Sequence, residues 1–215
     1  MGCPGYAAYK IHGNGLVDVN GVLPAFSTDS SQARMLQRIW KKYGTAIQAA
    51  SQLHGVPVSW ILGVIAQESG GNPTACSPCS ACAPQYCEEA AGRRCCAFGL
   101  MQFTAQTART FQTSPENILG DATHAIERGA ALLSQHLRNQ GGDLVKALAL
   151  YNSGSLRCGA ENTFGYFTNH DYPFQVVKLA NTAVQLDLRN VAPGTTIAVL
   201  GLAVAGLIYW KPETN

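Results

Sequence analysis

The sequence predicts a mostly α-helical domain, on three observations. Apolar residues recur at three- and four-residue steps through most of residues 33 to 188, the spacing of a single buried helix face. Glycines close these runs at Gly55, Gly70-Gly71, Gly141-Gly142 and Gly154, where helices commonly end in a left-handed residue. The β-leaning pieces are short and lie within the first 27 residues.

Taken in order, residues 1–27 hold the turn formers Gly13-Asn14-Gly15 and Asn20-Gly21 around short pieces such as Leu16-Val17-Asp18-Val19. These fit a small hairpin or a flexible arm equally well. Ser27, Thr28 or Asp29 caps the next helix. Its stripe is Met35, Leu36, Ile39, Trp40, Tyr43, Ile47, Ala50 and Leu53, and it ends near His54-Gly55. Trp40 and Tyr43 read as core, because aromatic residues at helical spacing usually pack. Pro57 opens a second helix, in which Val58, Ile61, Leu62 and Ile65 share one face. A short helix runs from Thr104 to Phe111, Pro115–Gly120 reads as a loop, and Ala122–Gln140 is helical with Ile126, Ala130, Leu133 and Leu137 on one side. Asp143 caps Leu144–Tyr151, closed by Asn152-Ser153-Gly154. After a polar loop to Asp171, Tyr172-Pro173-Phe174 opens a last helix, through Val176, Val177, Leu179 and Val184 to about Leu188. The organisation is thus an arm or hairpin at 1–27, a main domain at 28–190 and an apolar segment with a tail at 191–215.

The composition bounds the function. At 215 residues, 47% of them hydrophobic, the chain has room for one core with an appendage. Charged residues make up 13% and the net charge is +2, which leaves no basic stripe for nucleic acid and no acidic tail. Eight cysteines argue for an oxidising compartment or a metal, and six of them crowd between Cys76 and Cys96. The first residues, MGCPGYAAYKIHG, lack the charged start and apolar run of a secretory signal, and Tyr6 breaks the myristoylation pattern. Cysteine richness without such a signal points to delivery in a virion or through a signal-anchor.

Glu68 is the residue around which the chemistry gathers. It lies three residues past Ile65 and seven past Ile61, on the apolar face of the second helix, one turn from the Gly70-Gly71 stop. Burial and the negative end of the helix dipole both disfavour an ionised carboxylate there, so both raise its pKa. A carboxylic acid still protonated near neutrality is what a general acid in glycoside cleavage needs. The alternative is a Glu reaching solvent at a frayed helix end.

Four motifs follow one another: Gln67-Glu68-Ser69-Gly70-Gly71-Asn72-Pro73, Gly99-Leu100-Met101-Gln102, Ala149-Leu150-Tyr151-Asn152-Ser153-Gly154, and Tyr172. Over roughly residues 32 to 188 this resembles the soluble lytic transglycosylase family, whose catalytic domain has a goose-type lysozyme fold. The resemblance implies a lysozyme-like helical catalytic domain that cleaves the β-1,4 bond between N-acetylmuramic acid and N-acetylglucosamine in peptidoglycan and leaves a 1,6-anhydro ring. It implies Glu68 as both acid and base, with no cofactor and no second catalytic carboxylate. By the same matching, Ser69 hydrogen-bonds near Glu68 or the substrate and Gly99 lets the backbone approach the sugar. Met101 and Gln102 line the cleft, Tyr151 and Asn152 flank the opposite wall, and Tyr172 places its hydroxyl near Glu68. Two rivals remain: a true hydrolase on the same fold, and a catalytically silent glycan-binding part of a larger assembly.

The chain departs from the family in the cysteine insertion at 72–96, which lengthens the link between Glu68 and Met101. Either the cysteines (Cys76, Cys79, Cys82, Cys87, Cys95 and Cys96, with the remote Cys3 and Cys158) form disulfides, or Cys76, Cys79 and Cys82 with Cys87 or Cys95 hold zinc. Near the end of the sequence, Val191 to Trp210 is 20 residues without a charge, bracketed by Arg189 and Lys211. That is long enough for a membrane-spanning helix, with Tyr209-Trp210 as an interfacial anchor. The expected setting is a virion or the bacterial envelope, facing the periplasm and membrane-associated. The expected partners are glycan strands, a membrane and other virion or secretion-machine proteins, and not nucleic acid.

Overall fold

Ser30 starts the first long helix: its Oγ accepts from the Ala33 amide at 3.1 Å, satisfying one of the donors a helix N-terminus leaves free. The cap is thus Ser30, one residue beyond the expected Ser27, Thr28 or Asp29. The structure, a computed structural model, describes residues 9–13, 15–19, 21, 23, 30–156 and 171–188. Helix α1 (Ser31–His54) buries Leu36, Ile39, Trp40, Tyr43, Ile47 and Ala50, and Gly55 ends it at φ 66°. Leu53, expected on this face, is 69% exposed; in the last turn it is His54 that meets α5, its Nε2 lying 2.7 Å from Glu127 Oε1.

Helix α2 (Val58–Ser69) is the axis of the fold, with every residue from Trp60 to Ala66 buried. A helix apolar all round must be covered on every side, and α2 is flanked by α1, by α5 (Ala122–Asn139) and by α7 (Asp171–Gln185). Its most extensive neighbour is α7, which buries Val176, Val177, Leu179, Ala180 and Ala183. Gly63 permits this approach, since a Cβ there would stand 2.8 Å from the Val176 carbonyl oxygen and 3.3 Å from the Ala180 nitrogen.

Between α2 and α5 lie two short helices, α3 (Ala105–Thr110) and α4 (Pro115–Gly120). The second replaces the expected loop: Ser114 caps it through the Asn117 amide, Pro115 sits in its first turn and Glu116 meets the positive end of the dipole. Asp121 caps α5 and Asp143 caps α6 (Leu144–Ser153), which Gly154 closes at φ 67°.

Two small sheets decorate this bundle. Strands β1 (Tyr9–Ile11) and β2 (Val17–Val19) form an antiparallel hairpin that pairs Lys10 with Asp18. The hairpin is built into the core. Val17 is fully buried, and Asn181 on α7 gives it a strand-like partner, its Oδ1 accepting from the Val17 amide at 2.9 Å and its Nδ2 donating to the Val17 carbonyl at 2.8 Å. The Tyr9 hydroxyl donates to the Gly142 carbonyl and accepts from the Leu144 amide.

The cysteine insertion forms the second sheet, which periodicity did not predict. Strands β3 (Cys76–Pro78) and β4 (Glu88–Ala90) flank a central β5 (Arg93–Phe98), all antiparallel, with two 3-10 turns at Cys79–Ala81 and Pro84–Tyr86. The β4–β5 turn places Ala91 and Gly92 at positive φ, 49° and 71°, the requirement of a tight I′-type hairpin. Disulfides join Cys76 to Cys95, Cys79 to Cys87 and Cys82 to Cys96. The four sulfurs the zinc alternative required (Cys76, Cys79, Cys82, Cys87) are therefore consumed by disulfide bonds. Cys3, Cys158 and the run from Val191 to Trp210 lie outside the described residues. Among the described residues no helix is long and apolar enough to cross a membrane.

Candidate active site

Glu68 stands at the C-terminal end of α2, where the helix emerges from the core onto the floor of an open cleft of about 840 Å³. Sites for small molecules commonly occupy about 300–1,000 Å³. The floor also carries Met101 and Gln102, and one wall is the end of α6, with Tyr151 and Asn152. The disulfide-bonded sheet supplies another wall, through Ser77, Cys82, Tyr86 and Cys96, and α3 and α5 complete the lining.

Tyr172, at the start of α7, is 8% exposed and donates its hydroxyl proton to Glu68 Oε1 at 2.6 Å. The packing of α7 on α2 brings together two residues 104 apart in sequence. Burial raises the Glu68 pKa from 4.5 to about 7, and the Tyr172 hydrogen bond opposes part of that rise by stabilising the carboxylate. Glu68 keeps a partly exposed edge toward the cleft while protein atoms surround the rest of it. The tyrosines respond in turn. Burial first, and then the Glu68 charge, push the hydroxyls of Tyr151 and Tyr172 well above their ordinary range, so both remain donors at any physiological pH.

The remaining motif residues divide into those that face the cleft and those that build it. Met101 is fully buried beneath the cleft surface, its side chain filling the space left by Gly129 on α5. The Tyr151 hydroxyl donates to the Met101 carbonyl at 2.9 Å, joining the α6 wall to the floor. Gln102 Nε2 donates to the Gly99 carbonyl at 2.9 Å, while its Oε1 accepts from Ser77 Oγ at 2.6 Å. Ser69 does not line the cleft. Its hydroxyl lies 2.8 Å from the Leu100 carbonyl and 3.1 Å from the Ile65 carbonyl, and it accepts from the Gly71 amide. It thus fastens the end of α2 to the turn between Phe98 and Phe103. Gly99 also lies off the cleft lining. It adopts φ 76° and backs onto α4, where a Cβ would come within 3.0 Å of Ile118 Cγ2.

The cleft contains residues that motif reading missed: Ser77, Tyr86, Gln106, Thr107, Gln135 and His136. Burial holds the His136 imidazole below its ordinary pKa, which favours the neutral ring. None of these residues lies in a matched motif: Ser77 and Tyr86 come from the insertion, Gln106 and Thr107 from α3, and Gln135 and His136 from α5. Among the described residues of the lining, Glu68 is the one carboxylic acid, and among the described residues no cluster of His, Cys, Asp or Glu could hold a metal ion.

Residues 45–167, more than half of the chain, match the family model described as Transglycosylase SLT domain. Among curated proteins none matches the sequence. Similar solved structures include the 70-kDa soluble lytic transglycosylase SLT70 from Escherichia coli, at 20% identity and a TM-score of 0.50, covering 71% of this chain and 25% of that one. The complex of the 70-kDa soluble lytic transglycosylase with bulgecin A gives 18% identity and a TM-score of 0.50, over 77% and 27%. An inactive mutant of the lytic transglycosylase Slt from Pseudomonas aeruginosa gives 23% and 0.49, over 70% and 25%. The chain thus spans about a quarter of the length of these structures. The two at a TM-score of 0.50 speak to the fold, which is the mostly helical, lysozyme-like one expected from the motifs. The family match falls on the segment that runs from the middle of α1 through the Glu68 helix end, the Gly99–Gln102 turn and the α6 wall, so this chain belongs to the SLT transglycosylase domain family.

Proposed function

We propose that this chain is a peptidoglycan lytic transglycosylase with Glu68 as its single acid and base. One observation carries the reading: a carboxyl group with a pKa of about 7, the one carboxylic acid among the described residues of the lining, stands in a sugar-sized cleft and is hydrogen-bonded by Tyr172. In the first step Glu68 gives its proton to the glycosidic oxygen as the bond from that oxygen to C1 of N-acetylmuramic acid breaks. The resulting carboxylate, steadied by the Tyr172 hydroxyl, then takes the proton of the C6 hydroxyl, and O6 closes onto C1. The proton count balances and no water is consumed. A hydrolase of the usual kind needs a second carboxylate across the bond, and among the described residues the cleft lining offers none.

The test is digestion of purified sacculi followed by mass spectrometry. Products ending in 1,6-anhydro-N-acetylmuramic acid are expected, whereas reducing ends would assign a hydrolase. Glu68→Gln should leave the fold intact and reduce release of muropeptides to below a few per cent of wild type.

The cellular setting is proposed on sequence and disulfides. Three disulfides suit an oxidising compartment, and the uncharged run from Val191 to Trp210 suits a membrane anchor. We place the enzyme on the wall-facing side of a bacterial envelope or in a virion that opens the wall locally, as genome entry or a secretion machine requires.

A further inference from the structure

We propose that the disulfide-bonded sheet is a glycan-binding wall, with Tyr86 as the platform on which one pyranose ring stacks. The inference rests on the glycan-cleaving reading above and assigns the insertion a part in it. The insertion is not a remote decoration: Ser77, Cys82, Tyr86 and Cys96 all face the cleft that holds Glu68. It is also joined to the cleft floor, because Ser77 Oγ donates to Gln102 Oε1. Arg109 on α3 also clamps its strand β4 through two hydrogen bonds to Glu88, at 2.8 and 2.7 Å.

Tyr86 is 47% exposed, an unusual state for a large aromatic ring inside a concave site. It ends the 3-10 turn Pro84–Tyr86, whose amide-to-carbonyl bonds run from Tyr86 to Ala83 and from Cys87 to Pro84. That turn is held on both sides, by Cys82 bonded to Cys96 and by Cys87 bonded to Cys79. Ala90 is the one fully buried residue between Cys76 and Arg94, so packing alone would not fix the ring in place. The disulfides pre-order a surface that has no core of its own, which lowers the entropic cost of ordering it on binding.

The ligand chemistry follows from the shape. In a β-1,4-linked chain of N-acetylated hexoses the ring substituents are equatorial, so the axial C–H groups give each ring two apolar, slightly positive faces. An aromatic face carries the complementary negative quadrupole. Ser77 and Gln102, at the junction of wall and floor, supply polar atoms that can meet hydroxyl and N-acetyl groups.

The test uses the full oxidised chain. Binding of a peptide-free glycan tetramer of alternating N-acetylglucosamine and N-acetylmuramic acid is measured by calorimetry in the Glu68→Gln background, and turnover of the same tetramer in the active enzyme. Tyr86→Ala should weaken binding about tenfold, equivalent to about 1.4 kcal/mol, and raise KM with kcat unchanged within about twofold. Tyr86→Phe and Tyr86→Trp should bind within about twofold of the parent, and the melting temperature should not move, since the side chain is exposed. Equal binding by Tyr86→Ala, or a loss confined to kcat, would overturn the stacking role while leaving the enzyme assignment standing. A parent that neither binds the tetramer nor cleaves sacculi would remove the glycan reading itself, and the wall with it.

Discussion

A carboxyl group serves as acid and then as base only if neither protonation state is strongly favoured at the working pH. At Glu68 burial drives the pKa upward and Tyr172 holds it back, and the balance stands at about 7. Removing the hydroxyl should tip that balance. Tyr172→Phe is expected to raise the Glu68 pKa, so the pH at which kcat/KM falls off on the alkaline side moves upward while kcat itself drops, because the carboxylate formed in the first step loses its donor. A pH–rate profile that keeps its alkaline limb in place would refute this link. The same shift bears on stability. The Glu68 pKa is raised in the folded state, so the folded state carries no penalty below pH 4.5, where both states are protonated, and the full penalty above about 7, where both are ionised. At about 1.4 kcal/mol per unit the penalty reaches about 3 kcal/mol. Glu68→Gln should therefore stabilise the protein in urea titrations at pH 8 by up to that amount, and the gain should vanish by pH 4.

At the scale of elements, the site depends on the spacing of α2 and α7. Gly63 faces the Val176 carbonyl, one turn from Tyr172 on α7 and little more than a turn from Glu68 on α2. Gly63→Ala forces the helices apart or strains them, with an expected cost of about 1–3 kcal/mol for overpacking. Activity should fall by more than the fraction of protein unfolded, because the Tyr172–Glu68 hydrogen bond lengthens; undiminished specific activity of the folded fraction would argue against that coupling. The disulfide sheet depends on covalent closure in place of packing. Its bridges close loops of 19, 8 and 14 residues, and a disulfide typically contributes about 2–4 kcal/mol. Reductant should lower the melting temperature by at least several degrees, at about 2–4 °C per kcal/mol for a chain of this size. An unchanged melting temperature with all thiols demonstrably reduced would show the sheet to be energetically passive.

For the molecule as a whole, α1, α2, α5 and α6 were legible because each joins an apolar stripe to a glycine stop, and α7 by its stripe alone, whereas α4 reads as a loop in the sequence because its 6 residues are too few to show a stripe. Glu68 and Tyr172 were legible because the motifs containing them follow in order. The strands of the insertion were not, since they are three to six residues long and set by disulfide pairing and a hairpin turn rather than by alternation. The roles of Ser69 and Gly99 were not legible either, because a motif marks a residue without saying whether it touches ligand or only shapes the turn beneath it. Nor did the sequence reveal that Asn181 would serve the hairpin as a strand partner, a contact spanning 164 residues. These long-range closures bear on the apolar tail. Among the described residues Leu188, 1% exposed, is the last buried side chain, and it lines an apolar pocket with Pro57 and Val58 at the start of α2 and Val184 near the end of α7. A chain cut after Asn190 keeps Leu188 and every packing contact among the described residues. If Val191–Trp210 anchors the enzyme in a membrane, that truncated chain should remain folded, stay in solution without detergent, keep its activity on isolated sacculi and cease to float with liposomes. If the truncated chain unfolds or aggregates instead, the tail is part of the core, and the anchor must be given up.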